Sequence, residues 1–328
     1  MNAEGEVIDK RRLLNTEMAT YICRKVPKET YAVMEATRNW PFFYDLLEEY
    51  VERVELAHAK EVRSIATAAV KTDQIDASVL AHLARLNFLP IAYAAPQEIR
   101  DLRQHLRYRE WLIGERRRAK NRIHAVLAGY NQASPVTDLF GRSGREWLKE
   151  VAEKELRPTS RRVVLETLSM IDQLDAQIKA LGKDIPLPEE MKPKAELLTS
   201  MPGIGKLLAA AILAEIGDIN RFKSPKALCN WAGLTPQVHK SDTVVRHGRI
   251  SKQGSRYLRS AMVCAAITAC RISPRWYRVH EHLARWCGRR AAKVAVGRRL
   301  LTVVYFMLKR NQPYEEDYEQ QRTAEQGA

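Results

Sequence analysis

Apolar and polar positions alternate with two different periods along the first fifty-odd residues, which is the mark of mixed strands and helices. The stretches "GEVIDKRRLL", "TYAVMEA" and "RVELAHA" predict strands, and "TEMATYICRKV" and "WPFFYDLLEEYV" predict helices between them. A further helix is predicted to start near Asp73 in "KTDQIDASVLAHLARL". From Pro96 the period becomes helical throughout. Ile99, Leu102, Leu106, Ile113, Ile123 and Leu127 follow 3/4 spacing, as do Val164, Leu168, Ile171, Leu174, Ile178 and Leu181. Arg109, Arg116 and Lys120 interrupt the first seam, so it is no strict zipper. A long antiparallel helical pair follows, used either as a dimer contact or as a subdomain packing on its own chain. "KDIPLPEEMKPK" is a Pro- and charge-rich linker. A compact, mainly helical region follows to about residue 310, then the acidic tail "QPYEEDYEQQRTAEQGA".

Composition sharpens this picture through charge. Residues 196–310 carry 21 Lys/Arg against 5 Asp/Glu, while residues 1–95 carry 12 against 14. One segment thus holds the whole excess of +15. Such a surface binds a polyanion, because each neutralised phosphate releases condensed counterions, and nucleic acid is the expected partner. The longest apolar runs, Leu207 to Ala214 and Ala261 to Ala269, fall far short of the ~20 residues of a membrane span. Five scattered cysteines without a CxxC pair read as reduced thiols in a cytoplasmic, nucleoid-associated protein.

Against that basic background the carboxylates stand out. On a helix, Asp73 and Asp76 share a face and repel by roughly 3 kcal/mol at an effective dielectric near 20. Two solvated acids near a helix start are the ordinary reading of such a pair. Glu35 closes an apolar strand, on the face shared with Tyr31 and Val33, where open sheets place catalytic groups. Three acids converging there would need hard divalent cations, which bind oxygen donors and clamp phosphate oxygens.

In the basic region, "LLTSMPGIGKLLAAAILAEIGD" predicts a helix-hairpin-helix. Gly203 and Gly205 would let backbone N–H groups approach a phosphate, with Lys206 adding charge. The alternative is a plain turn whose glycines permit close packing. In "VVRHGRISKQGSRYLRSAM", Ser251 precedes a helix among Arg246, Arg249, Lys252, Arg256 and Arg259. These cations would hold a phosphate and steady its transition state. By composition alone Ser251 is a helix N-cap, and Ser255 offers a second hydroxyl. "RWCGRRAAKVAVGRRLLTVVYFMLKR" reads as one phosphate-facing helix, with Trp276, Tyr277 and Trp286 as core residues.

"KTDQIDA", the glutamate of "VMEATRNW", "MPGIG", "NWAGLTP" and "GRISKQGSRYLR", in this order, give the chain a family likeness over residues 5–313. It resembles the DEDD transposases of insertion sequence family 110, relatives of the Piv-type invertases. The resemblance implies an RNase H/RuvC-like α/β domain over 1–95, a helical dimerisation region over 96–184, a mainly α transposase domain over 185–313 and a tail over 314–328. It places metal ligands at Glu35, Asp73 and Asp76, with Mg²⁺ as the metal, and the nucleophilic serine at Ser251, with Ser255 ranked second. DNA contacts fall to Gly203, Gly205, Lys206, Arg249, Lys252, Arg256 and Arg259. It also implies a homo-oligomer and a guide RNA encoded beside the gene. The family's first aspartate lies on a strand of the form "GIDxHK". Asp9 in "VIDK" imitates it only 26 residues before Glu35, so that strand and its aspartate are expected to be missing here, through a misplaced start codon or a decaying element. The rival expectations are a DNA-binding remnant without chemistry and a RuvC-like nuclease that hydrolyses branched DNA.

Overall fold

A computed structural model describes residues 1–65, 73–241 and 244–316, and within these the side chains of all but residues 60, 73–76, 238–241 and 244–247. The chain divides into two compact units, Met1–Ala95 and Pro96 onward. It is mostly helical, with two small sheets.

In the first unit, residues 1–14 form no strand. Val7, Ile8 and Leu14 are exposed, and Asp9 is taken up by Arg11 (2.8 Å) and by the Tyr21 hydroxyl, which donates to it (3.0 Å). The strand predicted for "GEVIDKRRLL" is therefore absent: a run with no face to bury gains nothing from extending beside the sheet. The chain continues through α1 (Asn15–Lys25), β1 (Tyr31–Glu35), α2 (Trp40–Tyr50) and β2 (Arg53–Ala57). β1 and β2 run parallel, Tyr31 opposite Arg53 and Glu35 opposite Ala57, with α2 as the crossover. Pro41 at the start of α2 suits its first turn. α3 (Ala59–Ile65) and α4 (Asp73–Arg85) follow, and β3 (Ile91–Ala92) joins β2 antiparallel. The order β1-β2-β3 leaves β1 at an edge. "TYAVMEA" and "RVELAHA" thus do form the predicted strands.

In the second unit, α5 (Gln97–Gly129) and α7 (Pro158–Lys183) lie antiparallel. His105 Nε2 meets Leu181 O (2.9 Å) at one end, and the Tyr130 hydroxyl donates to Ser160 (2.9 Å) at the other. Ile123 and Leu127 bury against Val164, Leu168 and Ile171, and Leu112 against Leu174 and Ile178. The residues that break the seam have work within the chain. Arg109 donates to Ile178 O of α7, Arg116 pairs with Asp175, and the Lys120 ammonium lies over the Phe140 ring (4.6 Å). Helix α6 (Arg142–Lys154), which no linker or seam signalled, covers the far end with Leu148, Val151 and Ala152.

The remaining elements are α8 (Lys192–Thr199), α9 (Lys206–Ile216), α10 (Pro225–Trp231), the antiparallel hairpin β4 (Pro236–Ser241) and β5 (Val244–Ile250), α11 (Arg256–Ile272), α12 (Pro274–Cys287) and α13 (Arg289–Arg310). α13 runs through the core, burying Val296, Leu300, Leu301, Val304 and Met307, and Leu102 of α5 joins the same cluster. The stretch 285–310 is two helices rather than one. Gly288, at φ +80°, ends α12 and starts α13, a conformation that glycine adopts without strain. Trp276 is core as predicted, at 1 % exposure, but Tyr277 and Trp286 are not, at 55 % and 82 %. The tail begins anchored, the Tyr314 N–H donating to Ser200 Oγ (2.9 Å); residues 317–328 lie outside the described residues. No helix among the described residues is long and apolar enough to cross a membrane.

Candidate active site

The loop between β5 and α11 is held by the loop after α10. The Ser251 N–H donates to Thr235 O (2.9 Å), Lys252 N–H to Gly233 O (3.2 Å) and Ser255 N–H to Trp231 O (3.3 Å). "NWAGLTP" and "ISKQGS" are thus one zipped pair of loops. Two glycines make the approach possible. A Cβ on Gly254 (φ +84°) would sit 1.7 Å from Trp231 O, and one on Gly233 (φ +67°) 2.3 Å from Gln253 O. Lys252 itself takes a left-handed φ of +53°.

Within this frame the two serines have different fates. Ser255 is the N-cap of α11: its Oγ accepts the Leu258 N–H (3.1 Å) and donates to Glu215 Oε2 (2.7 Å). The capping role considered for Ser251 therefore belongs to Ser255. The Ser251 Oγ is buried and has no hydrogen-bond partner among the described residues. A buried hydroxyl left unpaired costs about 1–3 kcal/mol, and its retention calls for a reason. Arg249, Lys252 and Arg256 are exposed on either side of it. Arg259 is half-buried instead. Its Nη1 donates to Ala232 O (2.9 Å), tying α11 to the partner loop, and burial draws its pKa below the usual arginine value. The side chains of Arg246 and His247 lie outside the described residues.

Glu215 is the residue that sequence reading missed. At 4 % exposure on α9 it receives Arg107 Nε and Nη2 of α5 at 2.9 and 3.0 Å, besides the Ser255 hydroxyl. Arg103 donates to Ala214 O (2.6 Å) and Glu215 O (3.2 Å), and the Arg107 guanidinium lies 4.8 Å from the Tyr257 ring centroid. A buried carboxylate is tolerable only with such bidentate, charge-assisted pairing. The available signal was a lone acid in the apolar helix "KLLAAAILAEI".

The turn 200–205 joins α8 to α9. Gly203 (φ +90°) presses on α11, where a Cβ would meet Ala265 O at 2.4 Å, so its freedom serves close packing. Gly205, at the N-cap of α9, has open space around it, and Lys206 beside it is exposed.

In the first unit, Glu35 ends β1 half-buried. It borders a groove together with Val33, Thr37 and, from α4, Ala77, Leu80 and Ala81. Asp73 and Asp76 fall in the first turns of α4, immediately before Ala77, but their side chains lie outside the described residues. Among the described residues no group of three or more His, Cys, Asp or Glu could hold a metal. At the opposite end of the strand the Tyr31 hydroxyl donates to Glu55, and Arg53 lies 4.4 Å from the ring centroid. Burial first, then the neighbouring carboxylate, pushes the Tyr31 pKa up to about 12.

Two family models match the chain, a DEDD-type IS110 transposase over residues 1–132 and the transposase IS116/IS110/IS902 family over residues 195–281. Together they account for about two thirds of its length. The chain belongs to this transposase family. The family match covers both the β1–α4 groove and the serine loop. The chain is 33 % identical over 150 residues to the pilin gene-inverting protein of Moraxella bovis, covering 44 % of this chain and 45 % of that protein. It thus spans less than half the length of this relative. It is 25 % identical over 267 residues to a probable family 20 transposase of Pseudomonas aeruginosa, covering 79 % and 76 %. With the insertion element IS110 43.6 kDa protein of Streptomyces coelicolor it shares 24 % over 307 residues, covering 78 % and 75 %.

Proposed function

We propose that this transposase-family chain cuts and rejoins DNA through the hydroxyl of Ser251. The observation that carries the reading is the Ser251 Oγ, buried yet without a hydrogen-bond partner among the described residues, in a loop fixed from both sides and flanked by exposed cations. A nucleophile must be held in place with its oxygen not tied up in a structural bond, and among the described residues Ser251 meets both conditions. Ser255 is engaged as both acceptor and donor and lacks an effective base. Its oxygen caps α11, and the carboxylate it faces is neutralised by Arg107. In the proposed step the Ser251 hydroxyl gives up its proton to solvent as its oxygen bonds to a DNA phosphorus, and one strand oxygen leaves, taking up a proton from solvent in exchange. A strand hydroxyl then attacks the phosphoserine, restores the diester and releases the serine. Arg249, Lys252 and Arg256 balance the charge on the phosphate through both steps.

The carboxylates Glu35, Asp73 and Asp76 would form a second, metal-binding part of the machinery. Glu35 borders the groove that α4 lines from the residue after Asp76, and three carboxylates form the oxygen-only donor set that Mg²⁺ prefers. When bound, such an ion would polarise phosphate oxygens. In this reading the β1–β2–β3 sheet with its helices is an RNase H/RuvC-like domain, and α8–turn–α9 a helix-hairpin-helix that contacts duplex phosphates through Gly205 and Lys206. The enzyme works as a homo-oligomer, with a guide RNA selecting its sites.

A denaturing-gel assay on end-labelled DNA tests the proposal. A protein–DNA adduct should form with the parent and with Ser255→Ala, and vanish with Ser251→Ala. An adduct formed by Ser251→Ala would overturn it.

A further inference from the structure

The corner between α12 and α13 carries features that neither the serine loop nor the carboxylates use. α12 is amphipathic: Trp276 and His280 face the core, while Tyr277, Arg278, His282, Arg285 and Trp286 face outward. Trp286 is 82 % exposed, the most open large apolar side chain among those described. Leaving an indole in water forfeits the stabilisation that burial of so large a ring provides. Gly288 then turns the chain, and Arg289 and Arg290 continue on the exposed side. Residues 271–299 hold nine Lys/Arg and one acid, Glu281, which contacts His280 Nδ1 (3.1 Å). Arg278, Arg285, Arg289 and Arg290 form no ion pair among the described residues, and no described ring or cation covers the Trp286 indole. The half-exposed Trp111 differs, since it already stacks on Tyr108 with centroids 5.7 Å apart.

A free, flat ring set among unpaired guanidinium groups has a specific complement, a base with exposed π faces and phosphates on either side. Bases inside a duplex are stacked on one another and cannot meet the ring, so the complement is an unpaired strand. Rejoining reactions expose such a strand of DNA wherever a cut end leaves its complement. We propose that the α12–α13 corner binds unpaired nucleotides of single-stranded DNA, Trp286 stacking on a base while Arg278, Arg285, Arg289 and Arg290 hold the flanking phosphates. This rests on the reading of the chain as a DNA-acting enzyme, but not on the identity of its nucleophile.

Full-length protein should be titrated with a short oligothymidylate, with a blunt-ended, loop-free duplex and with the corresponding oligouridylate. Trp286→Ala should weaken oligothymidylate binding about tenfold, Trp286→Phe should restore most of it, and duplex affinity should change less than about twofold. Arg285→Ala should lower the salt dependence of oligothymidylate binding by about 0.7 in log–log slope. An unchanged oligothymidylate affinity, an equal loss on the duplex, or a loss confined to oligouridylate would each overturn the proposal. A change of sedimentation coefficient in Trp286→Ala would do so too, by showing that a second copy covers the ring. If the parent binds the duplex while Trp286→Ala leaves every affinity untouched, only this inference fails. If the parent binds no DNA at all, the functional reading fails with it.

Discussion

The two units of the molecule place their chemistry on very different foundations. In the first, no residue of β1 is fully buried, β1 is an edge strand, and Glu35 sits at its open end. In the second, α9, α11 and α13 supply much of one large buried core, and the serine loop is zipped to its neighbour. The contrast shows how each site can be kept in register. The proposed nucleophile would need its oxygen fixed to within a fraction of an ångström, and a dense core with a half-buried ion pair would supply that. The carboxylate cluster proposed for the first unit would repel itself, and a lightly packed sheet with little buried apolar surface would do little to oppose that.

The largest expected effect lies in stability across the two units. Amide exchange should be slower in α9, α11 and α13 than in β1 and β2 by about a hundredfold or more, read by mass spectrometry of peptic fragments. Equal protection would erase the contrast. Within the second unit, Glu215→Ala removes the carboxylate partner of Arg107 and the acceptor of Ser255. It should cost about 3 kcal/mol in denaturant unfolding, with faster exchange through 251–258 and no change in β1 or β2. Gly254→Ala should cost about 2 kcal/mol through its left-handed φ and the collision with Trp231 O, and should lower adduct formation with the loss of loop geometry. The smallest effect concerns the first unit. Because the folded-state pKa of Tyr31 lies near 12, above the ordinary tyrosine value of 10.0, its stabilisation is complete below pH 10 and lost as pH rises through 12. Tyr31→Phe should flatten the part of alkaline unfolding that far-UV circular dichroism records over that window.

Periodicity made most of the helices legible. The seams of α5 and α7 repeat over many turns, and the structure buries Ile123, Leu127, Val164 and Leu168 as the spacing implied. The β1–α2–β2 unit was equally readable, because alternation and helical spacing succeed one another without ambiguity. What escaped were features set by contacts distant in sequence. "GEVIDKRRLL" alternates like a strand but has no partner on the sheet. Glu215, Arg107 and Ser255 come from helices far apart in the chain, so no local pattern announces them. The division of labour between Ser251 and Ser255 depends on which hydroxyl meets Leu258 N–H, a matter of one loop's geometry. The break at Gly288 was visible in principle, since glycine after a helical run is the usual stop signal, but the continuing basic repeat masked it.

The serine assignment is most directly tested by mapping the attachment point of the adduct. Nuclease trimming followed by fragmentation mass spectrometry of the protein should find a residual nucleotide phosphate on Ser251 alone. The same phosphate on Ser255, or on any other side chain, would contradict the account.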